Sequence, residues 1–141
     1  MKLLITIMML TAVLGAFAHE GHNHEASVEA APRGGILRDA LPHFKSEVVI
    51  NKELVKLYIY DTKLQSIVPD KETLKGDVQF PREKKPREIS FKLVKSNKST
   101  EPSHYETKIT KIDKVHRFDM HVIVEVGDKK GKADFGIDNI H

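Results

Sequence analysis

Phe118-Asp119-Met120-His121-Val122-Ile123-Val124-Glu125-Val126 is the longest strict alternation in the chain. Successive side chains of an extended strand point to opposite faces, so Phe118, Met120, Val122, Val124 and Val126 share one face. Asp119, His121, Ile123 and Glu125 share the other, which is the pattern of a strand with one side on a core. Gly127-Asp128-Lys129-Lys130-Gly131 predicts a hairpin turn, after which Ala133, Phe135 and Ile137 resume the alternation.

The same period recurs upstream. Phe44 to Ile50 is the first clear strand, and Asn51-Lys52 is short enough to turn a hairpin into Lys52–Tyr60, where Val55, Leu57 and Ile59 share a face. Thr73–Phe80 places Val78 and Phe80 inward and ends at Pro81. Glu88–Val94 places Ile89, Phe91 and Leu93 inward, and His104–Thr110 places Tyr105, Thr107 and Ile109 together. Asp61-Thr62-Lys63, Val68-Pro69-Asp70 and the polar run Ser96–Ser103 separate these segments as turns and loops. No segment has a helical period. About seven short strands at this spacing predict an all-β fold over residues 33–141, an antiparallel β-sandwich of immunoglobulin-like type, with a small barrel as the alternative. Without a cystine or a tryptophan this is a statement of architecture, not of kinship.

Composition narrows the function. The chain has 141 residues, 23 basic and 20 acidic, with a formal charge of +3 and no cysteine. Near-balanced charge argues against nucleic acid as a partner, because phosphate backbones call for a concentrated basic face. The run Arg82-Glu83-Lys84-Lys85-Pro86-Arg87 is expected to be a solvated loop. The lack of cysteine removes disulfides, thiolate metal sites, Cys nucleophiles and a lipid-bearing N-terminal Cys. There is no G-x-S-x-G, P-loop, G-x-G-x-x-G or H-E-x-x-H, and carboxylates such as Glu47 and Glu53 are expected to be solvated, so the chain is not expected to be an enzyme.

Residues 1–18 have the three parts of a secretory signal: Lys2, the apolar run Leu3–Leu14, and the Ala16-Phe17-Ala18 cleavage motif. The apolar run is shorter than the ~20 residues of a permanent span, so cleavage after Ala18 and a periplasmic or secreted product without membrane insertion are expected. Residues 19–32 lack large apolar side chains and are expected to form a flexible tail when metal-free. Within it, His19-Glu20-Gly21-His22-Asn23-His24-Glu25 is the densest set of metal ligands in the sequence. His19, His22 and His24 are the candidate ligands. Cleavage after Ala18 gives His19 a free α-amine, titrating near about 7.7–8.0, beside its own imidazole. Nitrogen and oxygen donors without thiolate suit a divalent transition metal, Zn²⁺ or Cu²⁺ above all. A copper centre with redox activity built on an N-terminal His19 is a further possibility. His43, His104 and His141 are expected at the surface, His116 inward or on a rim, and His121 facing solvent, where it meets a metal only with help from another strand.

Gly34-Gly35 predicts either a positive φ or a close backbone approach. Together with the signal peptide, the His-rich tail and Phe44-Lys45-Ser46-Glu47-Val48-Val49, it resembles the small His-rich periplasmic domains associated with heavy-metal efflux adaptors of the cobalt–zinc–cadmium and copper type. That resemblance implies His-Gly-Gly after the tail, then Tyr-His-x-Glu. Here the glycines, the aromatic and Glu47 match, while Arg33 and Lys45 stand where the family has histidine. It therefore implies metal capture by the tail, with Glu47 ion-paired and the body docking on an efflux or transport component. The alternative is a metal-independent envelope module that uses the surface of the β-sandwich.

Overall fold

A computed structural model describes residues 29–98 and 100–139, so the segment expected to be a signal peptide, and His19, His22, His24 and His141, lie outside the described residues. The elements in chain order are β1 (Ile36–Ala40), β2 (Phe44–Asn51), β3 (Leu54–Tyr60), β4 (Thr73–Gln79), β5 (Arg87–Val94), β6 (His104–Lys108), a single 3₁₀ turn (Ile112–Lys114), β7 (Arg117–Val126) and β8 (Lys129–Asp138). All strand pairs are antiparallel, in the order β1-β2-β3-β6-β5-β4-β7-β8. The fold is all-β, as the alternation predicts, with eight strands against an expected seven or so.

The additional strand is β1. Its sequence, Ile-Leu-Arg-Asp-Ala, has no clean alternation, and it is recruited by backbone pairing with β2 from Ile36↔Val48 to Ala40↔Phe44. The meander β4-β5-β6 is flanked by β3 beside β6 and by β7 beside β4, which makes two overlapping Greek keys. Rather than two separately laddered layers, the eight strands form one continuous sheet that curls until its edges meet at a Leu41↔Lys132 bridge, with Lys132 N donating to Leu41 O at 2.9 Å. Closure depends on Gly131. A Cβ there would lie 2.3 Å from Ala40 O, so no other residue admits this approach of β8 to β1.

The inward face is the predicted one: Val55, Leu57, Ile59, Val78, Phe91, Tyr105, Phe118, Met120, Val122, Val124, Ala133, Phe135 and Ile137 are buried in one core. Burying a side chain of this size contributes roughly 1.5–3 kcal/mol, so the core supplies most of the driving force. The β7–β8 hairpin is tighter than the sequence suggests. Val126 pairs with Lys129, the turn is Gly127-Asp128 alone, and β8 begins at Lys129. Tyr58 and Tyr60 are out of step with this core yet buried, because they face the other side of the sheet under a second, polar layer.

Candidate functional site

That outer layer fastens the chain where it arrives from the N-terminal side. On β2 the outward residues include Lys45 and Glu47, which sit opposite Tyr60 and Tyr58 of β3. Glu47 is fully buried. Its Oε1 accepts from Arg33 N at 3.0 Å and Gly35 N at 2.8 Å, and its Oε2 from Tyr60 Oη at 2.7 Å and Arg33 N at 3.2 Å. Both conformational expectations for the glycine pair are met. Gly34 has φ +72°, and a Cβ on Gly35 would lie 2.3 Å from Val48 O. This sharp turn, closed by Gly34 N donating to Ala31 O at 3.0 Å, aims two consecutive odd-numbered amides at one carboxylate. Outward of the turn, Lys45 pairs with Glu29, which holds the Lys45 ammonium above its ordinary range, and lies 3.7 Å from Asp39.

Two expectations for Glu47 are therefore corrected. It is neither a solvated strand acid nor ion-paired: backbone amides and a phenol neutralise its cost of burial through hydrogen bonds, the arrangement a buried carboxylate requires. With both oxygens occupied and no exposed surface, Glu47 has no lone pair left to offer a metal. The Arg33 side chain leaves Glu47 alone, stacking over the Tyr58 ring at 4.8 Å and donating to Thr100 O at 3.1 Å.

Next to this clamp lies a network across β3 and β6. Glu101 Oε1 accepts from Lys56 Nζ and Tyr58 Oη, each at 2.9 Å. The hydrogen bond from Lys56, then that from Tyr58, lowers the Glu101 carboxyl to about 2. Burial, reinforced by Glu101, raises the Tyr58 phenol to about 12, and burial plus the Glu47 carboxylate raises Tyr60 further. His104, expected at the surface, is 2% exposed. Its ring packs on Tyr58 with centroids 4.9 Å apart, with Nδ1 at 3.0 Å from Pro102 O and Nε2 at 2.8 Å from Glu106 Oε1. His104 is thus a tie between the Ser96–Ser103 loop and the sheet. The signal missed in the sequence is Lys56-x-Tyr58-x-Tyr60: aromatics on the polar side of a strand require a cover.

The remaining histidines separate. His43 is exposed at the entrance to β2, and His116 lies on the rim of a cleft after the 3₁₀ turn. His121 is half-exposed on the outer face of β7, where neighbouring strands supply carboxylates: Asp77 of β4 at 2.8 Å from Nδ1 and Asp134 of β8 at 3.7 Å from Nε2. The two acids lie on opposite sides of the ring, so they bracket the imidazole and do not converge with it on a common point. Among the described residues, no group of three or more His, Asp or Glu side chains is arranged to hold a metal ion.

The geometry defines a small, nearly closed antiparallel β-domain whose outer wall clamps an incoming N-terminal segment. Comparison with protein-family models, with curated proteins and with solved structures finds no match to this chain.

Proposed function

We propose that the chain is a soluble periplasmic protein that binds a divalent transition metal, Zn²⁺ or Cu²⁺, for sequestration or delivery in metal homeostasis or efflux. His19, His22 and His24 capture the ion, the β-domain carries the tail and docks on a heavy-metal efflux or transport component, and no catalytic step is involved. The observation that carries this reading is the concentration of three imidazoles within six residues, His19 to His24, a few residues ahead of a clamped root. His24 precedes Glu29 by five residues, which allows a span of at most about 17 Å from the outer wall. The tail is thereby a short tether, and a metal held on it stays beside the domain surface.

The resemblance to efflux-associated His-rich domains supports the same reading, as does the full occupation of Glu47, which leaves the tail the better donor set. Imidazoles ligate only when neutral, so affinity falls as pH drops through about 6.5. Isothermal titration of the mature protein with Zn²⁺ and with Cu²⁺ tests the proposal. Replacing His19, His22 and His24 by Ala abolishes the high-affinity phase if the tail is the site, and unchanged binding in that variant contradicts it.

A further inference from the structure

The end of the β-domain formed by the close of β4 and the starts of β5 and β7 holds a cleft of about 730 Å³. One wall is the β4–β5 turn with Arg82, Glu83 and Arg87. The facing wall is the β6–β7 crossover with Lys111, Lys114 and Arg117. Five cations and one carboxylate give an excess of four positive charges, larger than the formal +3 of the whole chain. The basic character of this protein is therefore concentrated here, and the remainder of the chain is close to neutral.

The single carboxylate does not neutralise the cleft. Glu83 is committed to Arg87, whose Nε donates to it at 2.9 Å while the guanidinium stacks over Phe80 at 4.8 Å. Among the described residues, the ion pair of Arg117 is a long contact, 3.8 Å, to the exposed Asp138. Glu53, outside the lining, is held below its usual range first by the Lys111 backbone amide, then by Lys108, and only after these by Lys114. The side chains of Arg82, Lys111 and Lys114 make no ion pair among the described residues.

The crossover is also tied down by hydrogen bonds. Asn139 Nδ2 donates to Ile112 O at 2.7 Å and to Val115 O at 2.6 Å, Asn139 N donates to His116 O at 2.7 Å, and Ile112 is fully buried. Its cations are thus mounted on a backbone held by these hydrogen bonds. Phe80, Pro81 and Val115 add an apolar side to the same cleft. A pocket of this size, apolar on one side with a few convergent charges, is of the kind that takes a small molecule.

We infer that this cleft binds an organic phosphate, with the phosphate among Arg82, Lys111, Lys114 and Arg117 and the apolar part of the ligand against Phe80 and Val115. Guanidinium forks match phosphate oxygens bidentately, and the lysines add point charges. The inference is independent of metal binding by the tail.

Titration of the full mature chain with hexyl phosphate, followed by amide NMR, tests it, with inorganic phosphate, hexyl glucoside and phosphatidylglycerol vesicles as the comparison probes. Saturable shifts at Arg82, Arg87 and Lys111–Arg117 are expected with hexyl phosphate. Inorganic phosphate binds about fivefold or more weakly, having no methylenes to bury, and hexyl glucoside produces no shift. In the exposed double variant R82Q/K114Q, whose amide spectrum reports an intact fold, hexyl phosphate affinity falls about tenfold. Absence of saturation, equal affinity for inorganic phosphate, or an unaffected double variant overturns the inference. Binding to vesicles without binding to soluble hexyl phosphate also overturns it, marking a membrane-facing surface in place of a ligand cleft.

Discussion

Replacing Glu47 probes the clamp directly. Three donors converge on this carboxylate, the amides of Arg33 and Gly35 and the phenol of Tyr60, and the side chain has no exposed surface. In E47Q the amide oxygen still serves Arg33 and Gly35, and the amide NH₂ donates to Tyr60 Oη if the hydroxyl rotates. What is lost is charge assistance, worth about 1–2 kcal/mol in total, since hydrogen bonds to an ionised acceptor are roughly twice as strong as neutral ones. In E47A all three donors lose their acceptor at about 1–3 kcal/mol each. The turn at 33–35 then lifts into water, which recovers part of the loss but leaves Tyr60 Oη buried. A net destabilisation of about 3 kcal/mol is expected.

Urea denaturation measures both variants, and amide hydrogen exchange separates local from global effects. Arg33 and Gly35 are expected to be protected in the wild type, less so in E47Q, and freely exchanging in E47A, while β7 and β8 amides change only by the global loss. Unprotected Arg33 and Gly35 amides in the wild type, or E47A as stable as wild type within about 0.5 kcal/mol, refute the clamp.

Glu101 makes the fold acid-sensitive in a defined window. Its folded carboxyl is lowered to about 2 from an ordinary 4.5, so its contribution is complete above pH 4.5 and is lost as pH falls towards 2. Allowing for solvent screening of a side chain one-third exposed, the loss is about 1 kcal/mol, and E101Q removes this pH dependence in denaturation curves taken across the window. All three tyrosines of the chain, Tyr58, Tyr60 and Tyr105, are raised, mainly by burial. The neutral phenols favour the fold below pH 10 and that contribution fades as pH climbs towards 12. Tyrosinate absorbance therefore stays flat through pH 10 in the native protein and rises near pH 10 in urea. Gly131→Ala forces a Cβ to within 2.3 Å of Ala40 O, opening the β1–β8 seam at a cost of about 1–3 kcal/mol, visible as lost protection of the Lys132 amide.

The barrel-like core was legible because its signal is periodic. Phe118 to Val124, Ala133 to Ile137 and Val55 to Ile59 follow the two-residue period, and burial against one core is the physical reason for that period. What escaped depends on contacts that periodicity does not encode. β1 pairs through its backbone, so Arg38 and Asp39 conceal it. Glu47 and His104 look like surface groups until the turn at Gly34-Gly35 and the Ser96–Ser103 loop fold over them, supplying partners from 12 to 14 residues away in one case and from Pro102 in the other. The basic cleft was invisible for a similar reason. Arg82 and Arg87 stand in a run that reads as a solvated loop, and only the β6–β7 crossover brings Lys111, Lys114 and Arg117 to face them. Gly34-Gly35 is the instructive exception: the pair announced a positive φ or a close approach as alternatives, and the molecule uses one at each glycine.

We propose that metal is captured ahead of the clamp and not on the sheet. Titrating the mature protein with Zn²⁺ while recording histidine and amide NMR signals tests this most directly. His19, His22 and His24 are expected to respond first and stoichiometrically, with His121 and its neighbours Asp77 and Asp134 unmoved at that point. A first response at His121, or no response from the three tail histidines, would contradict it.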